Sequence, residues 1–282
     1  MIARLRFFVL FFLLSILSFG CVAALGADSD FAREFEEIQS AFDSAGLLSV
    51  EQQPEAFKRV AIMYQNLFDR GIRSGQLYYN QGNAWYYAGE RGRAIASYKL
   101  ALRYLPQDPR IIANLRVVGG VNVDVSPISS ELGGRVAIIE YLFFWQNWVG
   151  VYQKIFYSTL FSIFLFVVCL IILFMRKGVG ERVGGIRKVL RRFAIFLFAV
   201  TLISVLSAAY DWYRFECFSY VVISVEDAQP RKGNSEQYDK AFTRPVPLGT
   251  NALIISERGD WLHLRFGDMQ DAWLPKSQVV RY

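Results

Sequence analysis

The chain has very few of the residues that build metal sites, disulfide frameworks and acid–base catalytic centres. Its 282 residues include three cysteines and one histidine. Three cysteines are too few for a disulfide scaffold or a four-cysteine zinc site, and a single histidine removes most histidine-based ligand sets. The sequence also contains no G-x-S-x-G motif, no P-loop and no H-E-x-x-H motif. We therefore expect no metal, no cofactor and no enzyme activity.

Charge is absent from two long apolar runs, residues 155–175 and 193–210. As helices they would be about 31 and 27 Å long, close to the hydrocarbon core of a bilayer at about 30 Å. Their length, lack of charge and basic flanks favour membrane spans over buried core helices. Aromatic residues typical of a membrane interface flank the outer ends of the two runs: Tyr141, Trp145, Trp148, Tyr152, Tyr210, Trp212 and Tyr213.

The net charge of +6 comes from the short segment between the two apolar runs. Residues 176–192 contain seven basic side chains and Glu181, whereas the polar regions 28–153 and 211–282 carry net charges of −2 and −1. A nucleic-acid-binding surface needs basic residues clustered on a folded domain, so this distribution excludes nucleic acid as a partner. The positive-inside rule makes residues 176–192 a cytoplasmic loop and places both polar regions on the opposite side of the membrane.

The N-terminus predicts the same topology independently. Arg4 and Arg6 precede an apolar stretch that is followed by small residues, as in a secretory signal, although the apolar run is also long enough for an uncleaved anchor. Either form of residues 1–27 exports the region that follows. The residues before Cys21 depart from the lipoprotein pattern, which favours an ordinary signal-sequence cysteine over a lipidated one.

Apolar residues at helical spacing predict a helical domain over residues 28–120. The expected helices are 29–45, 54–70, 76–88, 91–105 and a short capping helix after Pro109. Between residues 75 and 108, small, aromatic and proline residues follow the spacing of a tetratricopeptide repeat. These residues are Gly82, Trp85, Ala94, Tyr98, Ala101 and Pro106, and Val60, Tyr64 and Leu67 occupy matching positions one repeat earlier. The alternative is an ordinary antiparallel helical hairpin.

Tetratricopeptide repeats bind peptides and proteins on a concave face. On that face the repeat spacing places Tyr79, Asn83 and Tyr86, which are our candidate protein-binding residues in the helical domain. Packing against the preceding hairpin is an equally good explanation for their aromatic rings.

From Tyr220 onward the hydrophobic period changes to two, and short β-like runs separated by turn residues predict a small barrel. The segments PRKGN (230–234), Gly249-Thr250 and Gly259-Asp260-Trp261, followed by Trp273, resemble a bacterial SH3 domain. That family usually has glycine where this chain has Ala272. We expect Trp261 and Trp273 to be candidate binding residues and His263 to be an outward-facing strand residue rather than a catalyst.

The order of these parts resembles the BatE family of the bacterial aerotolerance operon. The strongest local match is LYYNQGNAWYYAGERGRAIASYKLALRYLPQDPRIIANL at 77–115. The resemblance implies a bacterial inner-membrane protein with periplasmic regions 28–153 and 211–282. It also implies protein partners, namely other Bat-type membrane proteins and a MoxR-type ATPase system acting in envelope stress tolerance or complex assembly.

The sequence as a whole predicts a multi-domain protein: all-α tetratricopeptide-like hairpins, two transmembrane helices and a C-terminal, all-β SH3-like barrel. The predicted parts are the signal or anchor 1–27, the helical domain 28–120, a linker and interfacial segment 121–154, the spans 155–175 and 193–210, the basic loop 176–192 and the SH3-like domain 211–282. The predicted function is a non-enzymatic membrane scaffold for partner proteins. The alternative is a cell-wall sensor whose SH3-like domain binds peptidoglycan.

Overall fold

A computed structural model describes residues 29–120, 123–125, 148–175, 180–267 and 270–282. The predicted signal or anchor, Cys21 and the flanking aromatic residues Tyr141 and Trp145 lie outside these ranges. The described part is mostly helical, with a small five-stranded antiparallel sheet near its C-terminal end. The prediction of a helical domain, two long apolar helices and a C-terminal all-β region is confirmed at this level.

Five helices form the N-terminal part of the structure. Their bounds are α1 Ser29–Gly46, α2 Gln53–Asp69, α3 Gly75–Tyr87, α4 Arg91–Tyr104 and α5 Pro109–Gly119. Capping side chains define two of the starts: Ser74 accepts a hydrogen bond from the backbone N–H of Leu77, and Asp108 accepts one from that of Arg110. These local signals explain why the bounds agree with the sequence prediction to within one or two residues.

Close contact between α3 and α4 holds the central helical hairpin together. A Cβ atom on Gly82 would lie 2.5 Å from Cε1 of Tyr98, so only glycine allows the tyrosine ring to lie against α3. Trp85, Ala94 and Tyr98 are all buried in the same core. These small and aromatic residues therefore pack between the two helices, as in any closely packed antiparallel hairpin.

The five strands form one antiparallel sheet in the order β4-β3-β2-β1-β5. Their bounds are β1 Tyr220–Ile223, β2 Asn251–Arg258, β3 Trp261–Arg265, β4 Asp271–Pro275 and β5 Val279–Arg281, with a 3-10 turn at Lys276–Gln278 before β5. Alternate residues of β3 are buried, as expected for a sheet with one face on a core. That core includes Ile223, Leu262, Leu264 and Leu274.

The helices α1–α5 and the sheet belong to one compact unit, which comprises Ser29–Gly150 and Tyr213–Tyr282. Helix α4 contacts β1 and β5, and Val222 of β1 is part of the helical core. A Cβ atom on Gly92 would lie 2.5 Å from the Cα of Ser224, so the chain approaches α4 at backbone contact distance. The helical and β regions, which the sequence presents as two modules, thus share one interface.

The two long apolar helices are α6 Val151–Phe174 and α7 Gly180–Cys217. The other compact unit contains α6 and the part of α7 up to Trp212. Both are long and apolar enough to cross a membrane, and only 28% and 17% of their most apolar windows are buried. A core helix of a soluble protein would bury much more of its length, so this exposure is compatible with membrane association. Helix α6 begins four residues before the predicted span, and α7 already begins within the basic segment.

Candidate protein-binding surfaces

A groove with a volume of about 310 Å³ lies between α1, α2 and α3. Its lining combines carboxylate, amide and aromatic groups: Gln39, Phe42, Asp43, Tyr64, Asn80 and Asn83. We call this the amide groove. Tyr64 is almost completely buried at its base, and its hydroxyl hydrogen-bonds with Asn80. Burial raises the pKa of this hydroxyl, and the bond to Asn80 opposes the shift, so Tyr64 stays neutral at physiological pH.

Asn83, one of the predicted site residues, lies in the wall of the amide groove at the centre of a hydrogen-bonded cluster. Its Oδ1 accepts from the hydroxyl of Tyr98 at 2.7 Å and from Nδ2 of Asn114 at 2.9 Å. With both bonds made to the oxygen, the amide nitrogen is the group left to donate to an incoming carbonyl or carboxylate. Burial raises the pKa of the Tyr98 hydroxyl, so this donor too remains neutral.

The other two predicted residues of the helical domain lie in different surroundings. Tyr79 is half-buried: Arg110 lies over its ring at 5.4 Å and Asn114 donates to its hydroxyl at 3.4 Å. Tyr86 is 40% exposed and contacts the ring of Tyr87. The structure therefore brings Tyr79 and Asn83 together through Asn114, whereas Tyr86 lies outside this cluster.

The outer face of the sheet carries Trp261 and Trp273. His263 pairs with Trp273 across β3 and β4, and their rings are stacked with centroids 4.7 Å apart. The guanidinium of Arg258 lies over the Trp273 ring, 5.9 Å from its centroid. These side chains are on the face opposite to Leu262 and Leu264. His263 thus faces outward, as the alternation predicts, and takes part in an aromatic surface.

A polar network joins the helical part to the sheet, and its members carry no recognisable signal in the sequence. Lys99 of α4 is fully buried and lies 3.4 Å from the carboxylate of Asp124. Asn251 of β2 donates to the same carboxylate at 3.0 Å and accepts from the hydroxyl of Tyr282 at 3.2 Å. Burial lowers the pKa of Lys99 to about 8, and the neighbouring Asp124 opposes this shift.

A second, partly buried cation lies at the same interface. The guanidinium of Arg103 packs over the rings of Phe215 and Tyr282, at 4.8 and 5.5 Å from their centroids. Burial lowers its pKa, and the surrounding tyrosines oppose that shift. The helix periodicity around Arg103 and Lys99 does not reveal that the two cations are covered. Phe215, Asn251 and Tyr282 lie more than a hundred positions further along the chain, and Asp124 lies in a segment outside the helices.

A third feature missed in the sequence lies between α6 and α7. Lys154 and Asp211 form an ion pair, and their side chains are only 4% and 7% exposed. Small polar residues bond back to their own helices beside it: Ser158 to the carbonyl of Lys154 and Thr159 to that of Ile155. This pattern of small and polar residues at a helix contact is typical of membrane helix pairs.

Comparison with known protein families, with curated proteins and with solved structures finds no match for this chain.

Proposed function

We propose that this protein is a non-enzymatic membrane scaffold that binds partner proteins outside the cytoplasm. In this proposal α1–α5 are tetratricopeptide-type hairpins and the sheet is an SH3-like barrel. The observation that carries the proposal is the amide groove, in which Asn83 is held by Tyr98 and Asn114 with a free donor at the groove wall. Amide and hydroxyl groups that are neutral and already positioned suit the recognition of peptide backbone and polar side chains.

The membrane part of the proposal uses α6 and α7 as a hairpin of two spans, with the basic segment 176–192 in the cytoplasm and both flanking regions in the bacterial periplasm. It is supported by the exposed apolar surface of both helices. Cysteines introduced singly at Ser44, Gly180 and Ser256 in a cysteine-free background test it. Labelling by an impermeant maleimide from outside is expected at positions 44 and 256 only, and labelling at 180 would overturn the arrangement.

Site-specific photocrosslinking in living cells tests partner binding. A photoreactive residue at Gln39, which lines the amide groove, is expected to give a discrete crosslinked product. The same residue at Glu37, exposed and half a helical turn away, is the matched control. We expect the product at position 39 to weaken several-fold when Asn83→Ala is added, because the variant removes the groove donor. Equal products at 37 and 39, or a product insensitive to Asn83, would contradict the proposal.

The resemblance to the BatE family names the partners to look for first, namely other Bat-type membrane proteins and a MoxR-type ATPase system. Mass spectrometry of the crosslinked product at position 39 identifies the partner directly. A partner with periplasmic sequence is expected, because the groove belongs to the region that the topology exports.

A second candidate function is supported by the stacked His263–Trp273 pair and Trp261 on the outer sheet face. Aromatic faces of this kind suit binding to the sugar rings of peptidoglycan, and the protein would then be a cell-wall sensor. Sedimentation of the detergent-solubilised full chain with purified peptidoglycan tests this function. Loss of sedimentation in Trp273→Ala but not in Trp85→Phe would support it, and absence of sedimentation of the parent protein would exclude it.

A further inference from the structure

A second groove, with a volume of about 430 Å³, lies between the helices and the edge of the sheet. None of its lining residues lines the amide groove. Helices α2, α3 and α4 contribute one wall and β5 contributes the other: Ile62, Gln65, Gln81, Trp85, Arg93, Ala96, Ser97, Leu100, Val279, Val280 and Arg281. We call this the edge groove. Its volume is in the range of sites that hold a ligand of a few residues.

The β5 wall presents backbone hydrogen-bonding groups to this groove. In the described residues β5 is a terminal strand of the sheet and pairs with β1. Tyr282 N–H donates to Tyr220, and Ser224 N–H donates to Gln278, so the even-numbered residues of this strand face β1. In an antiparallel pair, the backbone N–H and C=O groups of the alternate residues point away from the paired strand. The carbonyls of Val279 and Arg281 and the N–H of Arg281 therefore point to the open side.

Apart from Arg93, the polar side chains of the helical wall are already hydrogen-bonded within the protein. Gln81 donates to the carbonyl of Ala61 at 3.2 Å and accepts from the hydroxyl of Ser97 at 2.9 Å. Beside the hydrogen-bonded Gln81 lie the apolar surfaces of Trp85, Leu100 and Ile62, and Ile62 is 47% exposed. An extended segment can lay alternate apolar side chains on this wall while its backbone pairs with β5.

The charge at the rim is positive. Arg93 and Arg281 line the groove, and no acidic residue does so among the residues that the structure describes. Arg281 shares the carboxylate of Glu257 with Lys276, so two cations meet one anion there. Arg93 lies over Trp85 at 4.7 Å and is 3.8 Å from Glu90, with about half of its side chain exposed. This surplus of positive charge at the rim attracts carboxylates.

We infer that the edge groove binds an extended, acidic segment of a partner protein, which adds as a strand beside β5 and places carboxylates near Arg93 and Arg281. This is a second binding site, shared by the helical and β regions, and it does not depend on the amide groove. It also gives a role to the packing of α4 against the sheet, because the groove exists only when both walls are in place.

Fluorescence anisotropy with the full-length protein in phosphatidylcholine nanodiscs tests the inference. The probe is a fluorescein-labelled acetyl-Val-Glu-Val-Glu-Val-Glu-Val peptide, and the comparison peptide has lysine in place of each glutamate. We expect the acidic peptide to bind at least tenfold more tightly than the basic one. Two further peptides are N-methylated at alternate backbone amides, one at the odd and one at the even positions. Because only alternate N–H groups of a paired strand face its neighbour, one peptide should bind at least tenfold more weakly and the other almost normally.

The variant Arg93→Gln/Arg281→Gln is expected to weaken binding of the acidic peptide at least tenfold. Both side chains are half-exposed, so the fold should be retained, and Arg33→Gln on α1 is the matched charge control. Unchanged binding in the double variant would overturn the inference, because the peptide would then be held elsewhere, for example by the basic segment 176–192. Absence of binding up to millimolar peptide would also overturn it.

Mass photometry of the same samples distinguishes another occupant. A dimer that is lost in Arg93→Gln/Arg281→Gln would show that a second copy of this chain fills the groove, which contradicts the inference. If peptide binding fails while the crosslink at position 39 persists, the scaffold proposal stands and only the edge groove is excluded.

Discussion

The ammonium group of Lys154 and the carboxylate of Asp211 form a buried ion pair between α6 and α7, 57 positions apart in the chain. The residues lie at the start of α6 and near the end of α7, beyond the most apolar parts of both helices. Both charges are withdrawn from solvent, so each depends on the other. The pair therefore fixes which ends of the two helices meet.

Removing one partner of this pair should destabilise the helix pair. Asp211→Asn or Lys154→Met is expected to lower the free energy of unfolding by about 3 kcal/mol, because the remaining charge stays buried without its counter-ion. The double variant should be no less stable than either single variant. The measurement is SDS-induced unfolding in lipid nanodiscs, followed by circular dichroism. Additive losses in the double variant would show that the two charges do not interact.

Replacing the buried Lys99 should stabilise the compact unit at neutral pH. Lys99→Met removes a charge whose pKa falls from 10.5 to about 8 through burial. We expect a gain of about 1–3 kcal/mol at pH 7 in chemical denaturation, because the penalty for burying the Lys99 charge exceeds its attraction to Asp124. Unlike the Lys154–Asp211 pair, the remaining carboxylate is not left buried, since the Asp124 side chain is 36% exposed and keeps its hydrogen bond from Asn251. Lys58→Met, on an exposed face of α2, is the control and should change stability by less than about 0.5 kcal/mol.

The same variant has a defined pH dependence. Because the pKa of Lys99 is lowered in the folded state, its destabilising effect is fully present below pH 8 and disappears as the pH rises toward 10.5. The advantage of Lys99→Met over the parent should therefore shrink by about 1–2 kcal/mol between pH 7 and pH 9.5. A constant difference over this range would mean that Lys99 is not buried in its charged form.

The approach of α3 to α4 can be tested at Gly82. Gly82→Ala places a methyl group 2.5 Å from the ring of Tyr98, so we expect a loss of about 1–3 kcal/mol in the free energy of unfolding. Gly46→Ala is the matched control, because a Cβ atom there meets nothing within 4 Å. The control should be neutral or slightly stabilising, since alanine has the higher helix propensity. Equal effects of the two changes would contradict the packing described for the hairpin.

A substitution at Gly92 tests the packing of α4 against the sheet separately from the stability of the helices and of the sheet. A Cβ atom at Gly92 would lie 2.5 Å from the backbone of Ser224, which cannot move as a flexible side chain does. In Gly92→Ala we expect faster hydrogen exchange of the amides in β1 and β5, with α3 and α4 amides changing less. Uniformly faster exchange across the compact unit would mean that the interface is not a separable element.

The sequence predicts the local structure well because the signals are themselves local. The helices α1–α5 have amphipathic spacing, and caps such as Ser74 and Asp108 lie within three residues of the groups they bind. The packing of Gly82 against Tyr98 is also predictable, since the two lie on adjacent helices of one hairpin. The alternation in β3 predicts the outward position of His263.

Contacts between distant parts of the chain could not be predicted in the same way. Lys99 has the appearance of an ordinary solvent-facing helix residue. Its partner is Asp124, and the Asn251 that donates to the same carboxylate lies in a strand beyond both apolar helices. Lys154 and Asp211 each appear as a flank of an apolar run, and nothing in either flank specifies the other. Asn83 was predicted as a site residue, but its orientation by Asn114 depends on how α5 returns to the groove.

The position of β1 and β5 in the chain has a consequence for biosynthesis. Both strands follow α6 and α7 in sequence, yet they cover the face of α4 that carries Lys99 and Gly92. While the ribosome is making the two apolar helices, α4 has no strand beside it, and its face with Gly92 and Lys99 is uncovered. Contacts between such distant segments form slowly. The packing of α4 against β1 and β5 is therefore completed only after translation has passed both apolar helices.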